Sequence, residues 1–115
     1  VLTPRNRVIT LNLANALVKN KEFDQAVRLL KDYLLVEPEN MLAHQILSDA
    51  YAESQNKLEM HQTKAEVYAL AASYPRAIDE LHSAYNYAGT QNIEKQRIRA
   101  RIEQFRAFQT RLESL

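Results

Sequence analysis

Cysteine is absent from all 115 residues, which excludes disulfides and thiolate metal sites without choosing a compartment. Glycine occurs once and proline three times, so turns are few, as in a chain that is nearly all helix. That one glycine, Gly89, also leaves no Gly-rich phosphate loop. An excess of charge of either sign is missing too. Fifteen Lys and Arg stand against fourteen Asp and Glu, a formal net charge of +1, and nothing in that balance argues for nucleic acid. No run approaches the roughly 18 apolar residues that span a bilayer, so no membrane insertion is expected. The longest uncharged apolar-rich stretch, residues 67–75, has the length of a core helix segment at most. The first residues, Val1-Leu2-Thr3-Pro4, contain neither an initiator Met nor a basic region followed by an apolar run. No signal peptide is visible there, and the chain reads as a fragment of a longer protein. Its length suits one domain with a core of its own.

What is present is a duplicated pattern. Phe23-Asp-Gln-Ala26-Val27-x-x-Leu30 and Tyr74-Pro-Arg-Ala77-Ile78-x-x-Leu81 share an aromatic, an alanine three later, a β-branched residue and a leucine. The match extends upstream: Ala14 and Ala65 precede the two aromatics by nine residues, and Leu17 and Tyr68 precede them by six. A recurring helix–turn–helix with small residues where helices approach closely resembles a tetratricopeptide (TPR) array. The resemblance implies a domain that binds proteins or peptides.

Six helices are predicted. Thr3-Pro4 reads as N-cap and first helical residue of a helix to about Asn20, with Val8, Leu11, Leu13, Ala14, Leu17 and Val18 on its apolar face. The second spans about 23–36, buries Ala26, Val27, Leu30 and Leu34, and stops at Glu37-Pro38. Asn40 caps a third helix over about 41–53, carrying Ile46, Leu47, Ala50 and Tyr51. Asn56-x-x-Glu59 resembles a capping box at the start of a fourth, which runs to about Ala72. Pro75 lies in the first turn of a fifth, which Gly89 ends as a left-handed C-cap residue. The spacing from Phe23 to Tyr74 is 51 residues, one repeat of about 34 plus half of another. The fourth helix is therefore expected to serve both as partner of the third and as first helix of the last motif.

The expected fold is all-α, a TPR-like α-solenoid of antiparallel helix hairpins forming one domain over 1–115. Its hairpins lie at about 4–37 and 41–72, the last motif shares 58–72 with 75–88, and a C-terminal capping helix covers 92–114. In that last helix Ile98, Ile102, Phe105, Phe108 and Leu112 form an apolar stripe at spacings of three and four. The other faces carry Lys95, Arg97, Arg99, Arg101, Arg106 and Arg111 against Glu94, Glu103 and Glu113. One apolar and one charged face is what closes a solenoid's open end, the alternating charges reading as a solvated surface.

Chemistry finds few candidates. His44 and His61 both take the fourth position of the repeat frame, where an imidazole packed between helices is expected rather than a metal ligand. His82 falls in the fifth helix, and no His-x-x-x-His, His-Glu-x-x-His or acidic ligand loop exists, so no metal or cofactor is expected in this segment. No serine has a recognisable base nearby in sequence, and no catalytic residue is assigned.

In the arrays that this pattern resembles, the first helix of each hairpin lines a concave groove. The frame assigns to it Leu11, Asn12 and Asn15, beside Val8, from the first helix, and Leu42, Gln45, Ile46 and Asp49 from the third. Glu59, Gln62, Thr63 and Glu66 come from the fourth. This expected protein-binding groove is mixed apolar and acidic, with no cation in it. Asp49, Glu59 and Glu66 would repel a terminal carboxylate, so the carboxylate clamp of chaperone-tail-binding members is not expected, although Asn15 fits its pattern.

A narrower resemblance covers roughly residues 7–112. Lys64-Ala-Glu-Val-Tyr-Ala-Leu-Ala-Ala-Ser-Tyr-Pro-Arg-Ala-Ile-Asp-Glu-Leu-His-Ser-Ala84, followed by Arg97-Ile-Arg-Ala-Arg-Ile-Glu-Gln-Phe-Arg-Ala-Phe-Gln-Thr-Arg-Leu112, is similar to the C-terminal region of periplasmic zinc metalloproteases that maintain outer-membrane β-barrel assembly, the BepA/YfgC group. In that group the catalytic zinc motif lies in a preceding domain, and none of it occurs here. The resemblance implies a non-catalytic domain in the periplasm that targets or regulates an attached protease. Its implied partners are its own protease domain and the β-barrel assembly machinery or its substrates, and zinc would belong to the absent domain. The alternatives are a free-standing TPR scaffold in another complex, or a helical repeat that binds nucleic acid through the basic last helix.

Overall fold

The structure, a computed structural model, describes residues 6–115. Among these, six helices and no strands occur: α1 (Arg7–Lys19), α2 (Phe23–Val36), α3 (Met41–Glu53), α4 (Lys57–Leu70), α5 (Tyr74–Tyr87) and α6 (Asn92–Glu113). The fold is all-α. It divides into two compact units, Val1–Asn56 and Lys57–Leu115, each built in the α-solenoid manner from consecutive helices packed as hairpins.

In the first unit α2 packs against both α1 and α3, and α1 also meets α3. The expected opening at Thr3-Pro4 lies outside the described residues. Within them Asn6 is the N-cap of α1: its backbone is extended and its Oδ1 accepts from the Ile9 N–H at 3.1 Å. Asn40 caps α3 as expected, accepting from the Ala43 N–H at 2.9 Å, and its Nδ2 donates to the Tyr33 hydroxyl at 3.3 Å. Tyr33 is fully buried and anchors the unit's core, a role that the sequence pattern assigned instead to Val27 and Leu34, both only half-buried. Ala14, Ala26 and Leu30 are sealed from solvent, as are Ile46, Leu47 and Ala50 of α3. Val8, placed on the apolar face of α1, is exposed instead.

The second unit packs α5 against α4 and α6. Its core holds Leu58, Ala65, Ala77, Leu81, Ala84, Ala88, Ile98, Ile102 and Phe105, with Tyr68, Tyr74, Ile78 and Phe108 against them. The α6 stripe thus buries its first three members and half-buries Phe108, while Leu112 stays 46% exposed.

The two units repeat each other in register. α2 and α5 both have fourteen residues and begin 51 apart, and α3 and α6 also begin 51 apart. Equivalent alanines, Ala14 and Ala65 and then Ala26 and Ala77, are all 0% exposed, so the duplicated motif marks equivalent close approaches of helices. The turns repeat too. After α1, Lys21 takes φ 61°, the Lys21 N–H bonds the Val18 carbonyl, and the Glu22 N–H bonds that of Leu17. After α4, Ala72 takes φ 57° with the same pair of bonds, Ala72 to Ala69 and Ser73 to Tyr68. Both are Schellman stops, as is the turn at Gln55, although the left-handed position usually holds glycine. Gly89, at φ 60°, occupies the corresponding position after α5, as its placement in the sequence implied.

Candidate functional site

The residues expected to line a groove fall into both units. In the first, Asn12 and Asn15 of α1 and Leu42, Gln45 and Asp49 of α3 are exposed, whereas Leu11 and Ile46 are buried in the core beneath them. The exposed members form a surface of two carboxamides, one amide-bearing Gln, one carboxylate and one apolar side chain, carried on two helices that touch. Such a surface can exchange hydrogen bonds with a peptide backbone and favours amide-rich or basic partners.

In the second unit α6 engages two of the four expected residues of α4, Glu66 and Gln62. Glu66 receives a bidentate contact from Arg101: Nε donates to Oε2 at 2.9 Å and Nη2 to Oε1 at 2.6 Å. The planar guanidinium matches both carboxylate oxygens at once, the strongest geometry open to such a pair. It also lies 4.5 Å from the Phe105 ring centroid. The Glu66 hydrogen bond holds the Arg101 pKa above its ordinary value, against the lowering effect of burial. Gln62 Nε2 donates to Glu94 Oε2 at 3.3 Å. Thr63 is buried and donates its hydroxyl to the Glu59 carbonyl of its own helix at 2.8 Å. The expectation of an α4 face without a cation is therefore corrected: Arg101 comes from 35 residues away in sequence and sits on it.

The basic face of α6 is correspondingly less free than its composition implied. Arg97 pairs with Glu94 and Arg106 with Glu103, each at 3.0 Å, and Arg101 pairs with Glu66. Lys95 and Arg99 flank the Tyr85 ring, and Arg99 also donates to the Tyr85 hydroxyl. These pairings weigh against a basic strip for phosphates.

Two of the three histidines, His44 and His61, are half-buried and partnered, whereas His82 is exposed. His61 Nδ1 lies 2.8 Å from Glu80 Oε1 across the α4–α5 contact, and its ring stacks on Tyr87 at 5.5 Å. His44 Nε2 meets the Pro38 carbonyl at 2.9 Å. Among the described residues no three His, Asp or Glu side chains are grouped so as to hold a metal. No helix of the described residues is long and apolar enough to cross a membrane.

One feature of the first unit was not anticipated from sequence. A cleft of about 330 Å³ opens between the first turn of α2 and the end of α3, lined by Phe23, Asp24, Val27, Arg28, Tyr51, Ser54 and Asn56. It faces away from Asp49, since the two residues from Asp49 to Tyr51 turn a helix by roughly 200°. The available signal was the 51-residue register, which sets Ser54 opposite Phe105.

No family model matches the chain. It is 32% identical over 106 residues to the beta-barrel assembly-enhancing protease of Escherichia coli, a match covering 92% of this chain. It is 31% identical over 104 residues to that of Yersinia pestis, and 33% identical over 108 residues to a related Vibrio cholerae protein. The chain spans only about 22% of the length of these curated relatives.

Proposed function

We propose that this chain, a homologue over nearly its whole length of one segment of the beta-barrel assembly-enhancing proteases, is the non-catalytic, protein-binding part of such a protein. The observation that carries the reading is the disparity of coverage. More than nine-tenths of this chain aligns, yet nearly four-fifths of each relative lies outside the match and is free to hold the protease machinery. The donor set described above is consistent with that division, since no ligand trio is grouped among the described residues. On this reading it is a C-terminal, tetratricopeptide-type region in the periplasm that targets or regulates an attached zinc metalloprotease during outer-membrane β-barrel assembly. Its partners are the protease domain and the assembly machinery or its substrates.

The binding surface within this reading is the exposed set Asn12, Asn15, Leu42, Gln45 and Asp49, with Leu11 and Ile46 supporting it from below. Glu59, Gln62, Thr63 and Glu66 belong to the second unit and are taken separately, since α6 engages Gln62 and Glu66 there. Photocrosslinking residues introduced singly at Asn12, Asn15 and Asp49 of the full-length protein in cells test it. Crosslinks to β-barrel assembly components from these positions, and none from the exposed His82 on α5, are expected. Equal crosslinking at His82, or none at the three groove positions, would reject this surface. Hydrolysis of unfolded β-barrel protein by the isolated chain would reject the non-catalytic assignment.

A further inference from the structure

The cleft of the first unit has a counterpart in the second that is filled by aromatic side chains of its own helix α6. Phe23, Val27, Tyr51 and Ser54 stand 51 residues before Tyr74, Ile78, Ile102 and Phe105. In the second unit α6 continues nine residues beyond the equivalent of Glu53, the last residue of α3. That extension places Phe105 against Tyr74 at 6.0 Å between ring centroids, leaving Phe105 0% exposed, and Phe108 meets the same ring at 5.9 Å. Ile78 and Ile102 belong to the same cluster.

The first unit has the same socket without the plug. α3 stops at Glu53, and Ser54 turns its hydroxyl back to the carbonyls of Ala50 and Tyr51 at 2.8 and 3.2 Å. Gln55 at φ 66° then redirects the chain. An apolar floor of Phe23, Val27 and Tyr51 is left beneath a rim of Asp24, Arg28 and Asn56, and a second hollow of about 300 Å³ continues along the start of α2. We infer that this cleft binds a helix of a partner protein carrying two aromatic residues three positions apart, the pattern of Phe105 and Phe108. One aromatic ring packs tilted against Phe23 as Phe105 does against Tyr74, and the second meets the same ring as Phe108 does. The rim holds one acidic and one basic side chain, so it selects on shape and aromaticity more than on charge. A second copy of this chain is a poor occupant, because its own aromatic pair is already committed to the second unit. The site lies on the opposite side of α3 from Asp49 and does not depend on the groove proposed above.

Amide spectra of the isotope-labelled 115-residue chain, titrated with a peptide of residues 101–113 and with the same peptide carrying both phenylalanines replaced by alanine, test the proposal. The aromatic peptide should shift Phe23, Val27, Ser54 and Asn56 saturably. The alanine peptide should bind roughly ten- to a hundredfold more weakly, the loss expected for one buried aromatic side chain. Absent shifts, shifts away from the cleft, or equal binding of both peptides would overturn the assignment. Cleft resonances that move with protein concentration alone would make a second copy the occupant, against the proposal. Binding by this chain but not by the full-length protein that contains such a segment would mean that the cleft is filled from within, which equally overturns a partner helix.

Discussion

The Glu66–Arg101 contact decides whether the α4 face is a binding surface or an internal joint, and a double-mutant cycle measures it. Glu66→Gln and Arg101→Gln are made singly and together, and each protein is unfolded in urea. The side chains are 29% and 37% exposed, between the solvent-exposed and the sealed extremes. Exposed pairs contribute about 0.2–1 kcal/mol, and hydrogen bonds to charged groups about 1.5–3 kcal/mol. Direct attraction at an effective dielectric constant near 20 would be about 4 kcal/mol at 4 Å, but desolvation and the ordering of two long side chains remove most of it. The bidentate geometry at 2.6 and 2.9 Å favours the upper part of the remaining range, so a coupling of about 1–1.5 kcal/mol is expected. That corresponds to roughly 4–12 °C in the melting temperature of a unit of this size. The stacking of Arg101 on Phe105 survives Glu66→Gln and cancels in the cycle. Glu103 and Arg106, 71% and 55% exposed at 3.0 Å, supply the control, with an expected coupling below about 0.5 kcal/mol. Because the Glu66 hydrogen bond raises the folded-state pKa of Arg101 above its ordinary value, the stabilising charge is present throughout the working pH range and is lost only at pH above that ordinary value. A Glu66–Arg101 coupling within about 0.3 kcal/mol of zero would refute this reasoning and return Glu66 to the list of side chains free for a partner.

Ala77→Leu should cost about 1–3 kcal/mol by overpacking a fully buried helix contact, and an unchanged urea midpoint would show that the helices can separate without penalty. Ala72→Gly should instead stabilise the chain, by about 0.5–1 kcal/mol, because Ala72 bears the left-handed strain of a Schellman stop at φ 57°; a lowered melting temperature would mean that unfolded-state entropy outweighs the strain.

The sequence by itself determined the features that are encoded within a turn or two of the chain. Phe23, Ala26 and Leu30, and their copies Tyr74, Ala77 and Leu81, announce equivalent helices because spacings of three and four put residues on one face. Asn40, Pro38, Pro75 and Gly89 mark helix ends because caps, missing N–H groups and positive φ act locally. The cap of α1 was less legible: the reading from sequence was Thr3-Pro4, which lies outside the described residues, and within them the Asn6 carboxamide accepts from the Ile9 N–H.

Tertiary structure alone decided which long side chains meet. Arg101 reads as one of six cations on a solvated helix face, but a flexible stem lets its guanidinium reach a carboxylate 35 residues away, and no local spacing records that. Tyr33 was not singled out by the sequence pattern, yet packing sets its ring at the centre of a unit, with a hydroxyl that accepts from Asn40. The cleft beside Phe23 is the plainest case. Its floor is apolar in sequence as a core would be, and α3 stops at Glu53 where α6 continues, so the aromatic ring that closes the counterpart is not supplied by its own unit. Periodicity specifies which face of a helix is apolar; whether anything covers that face depends on where the neighbouring helix ends.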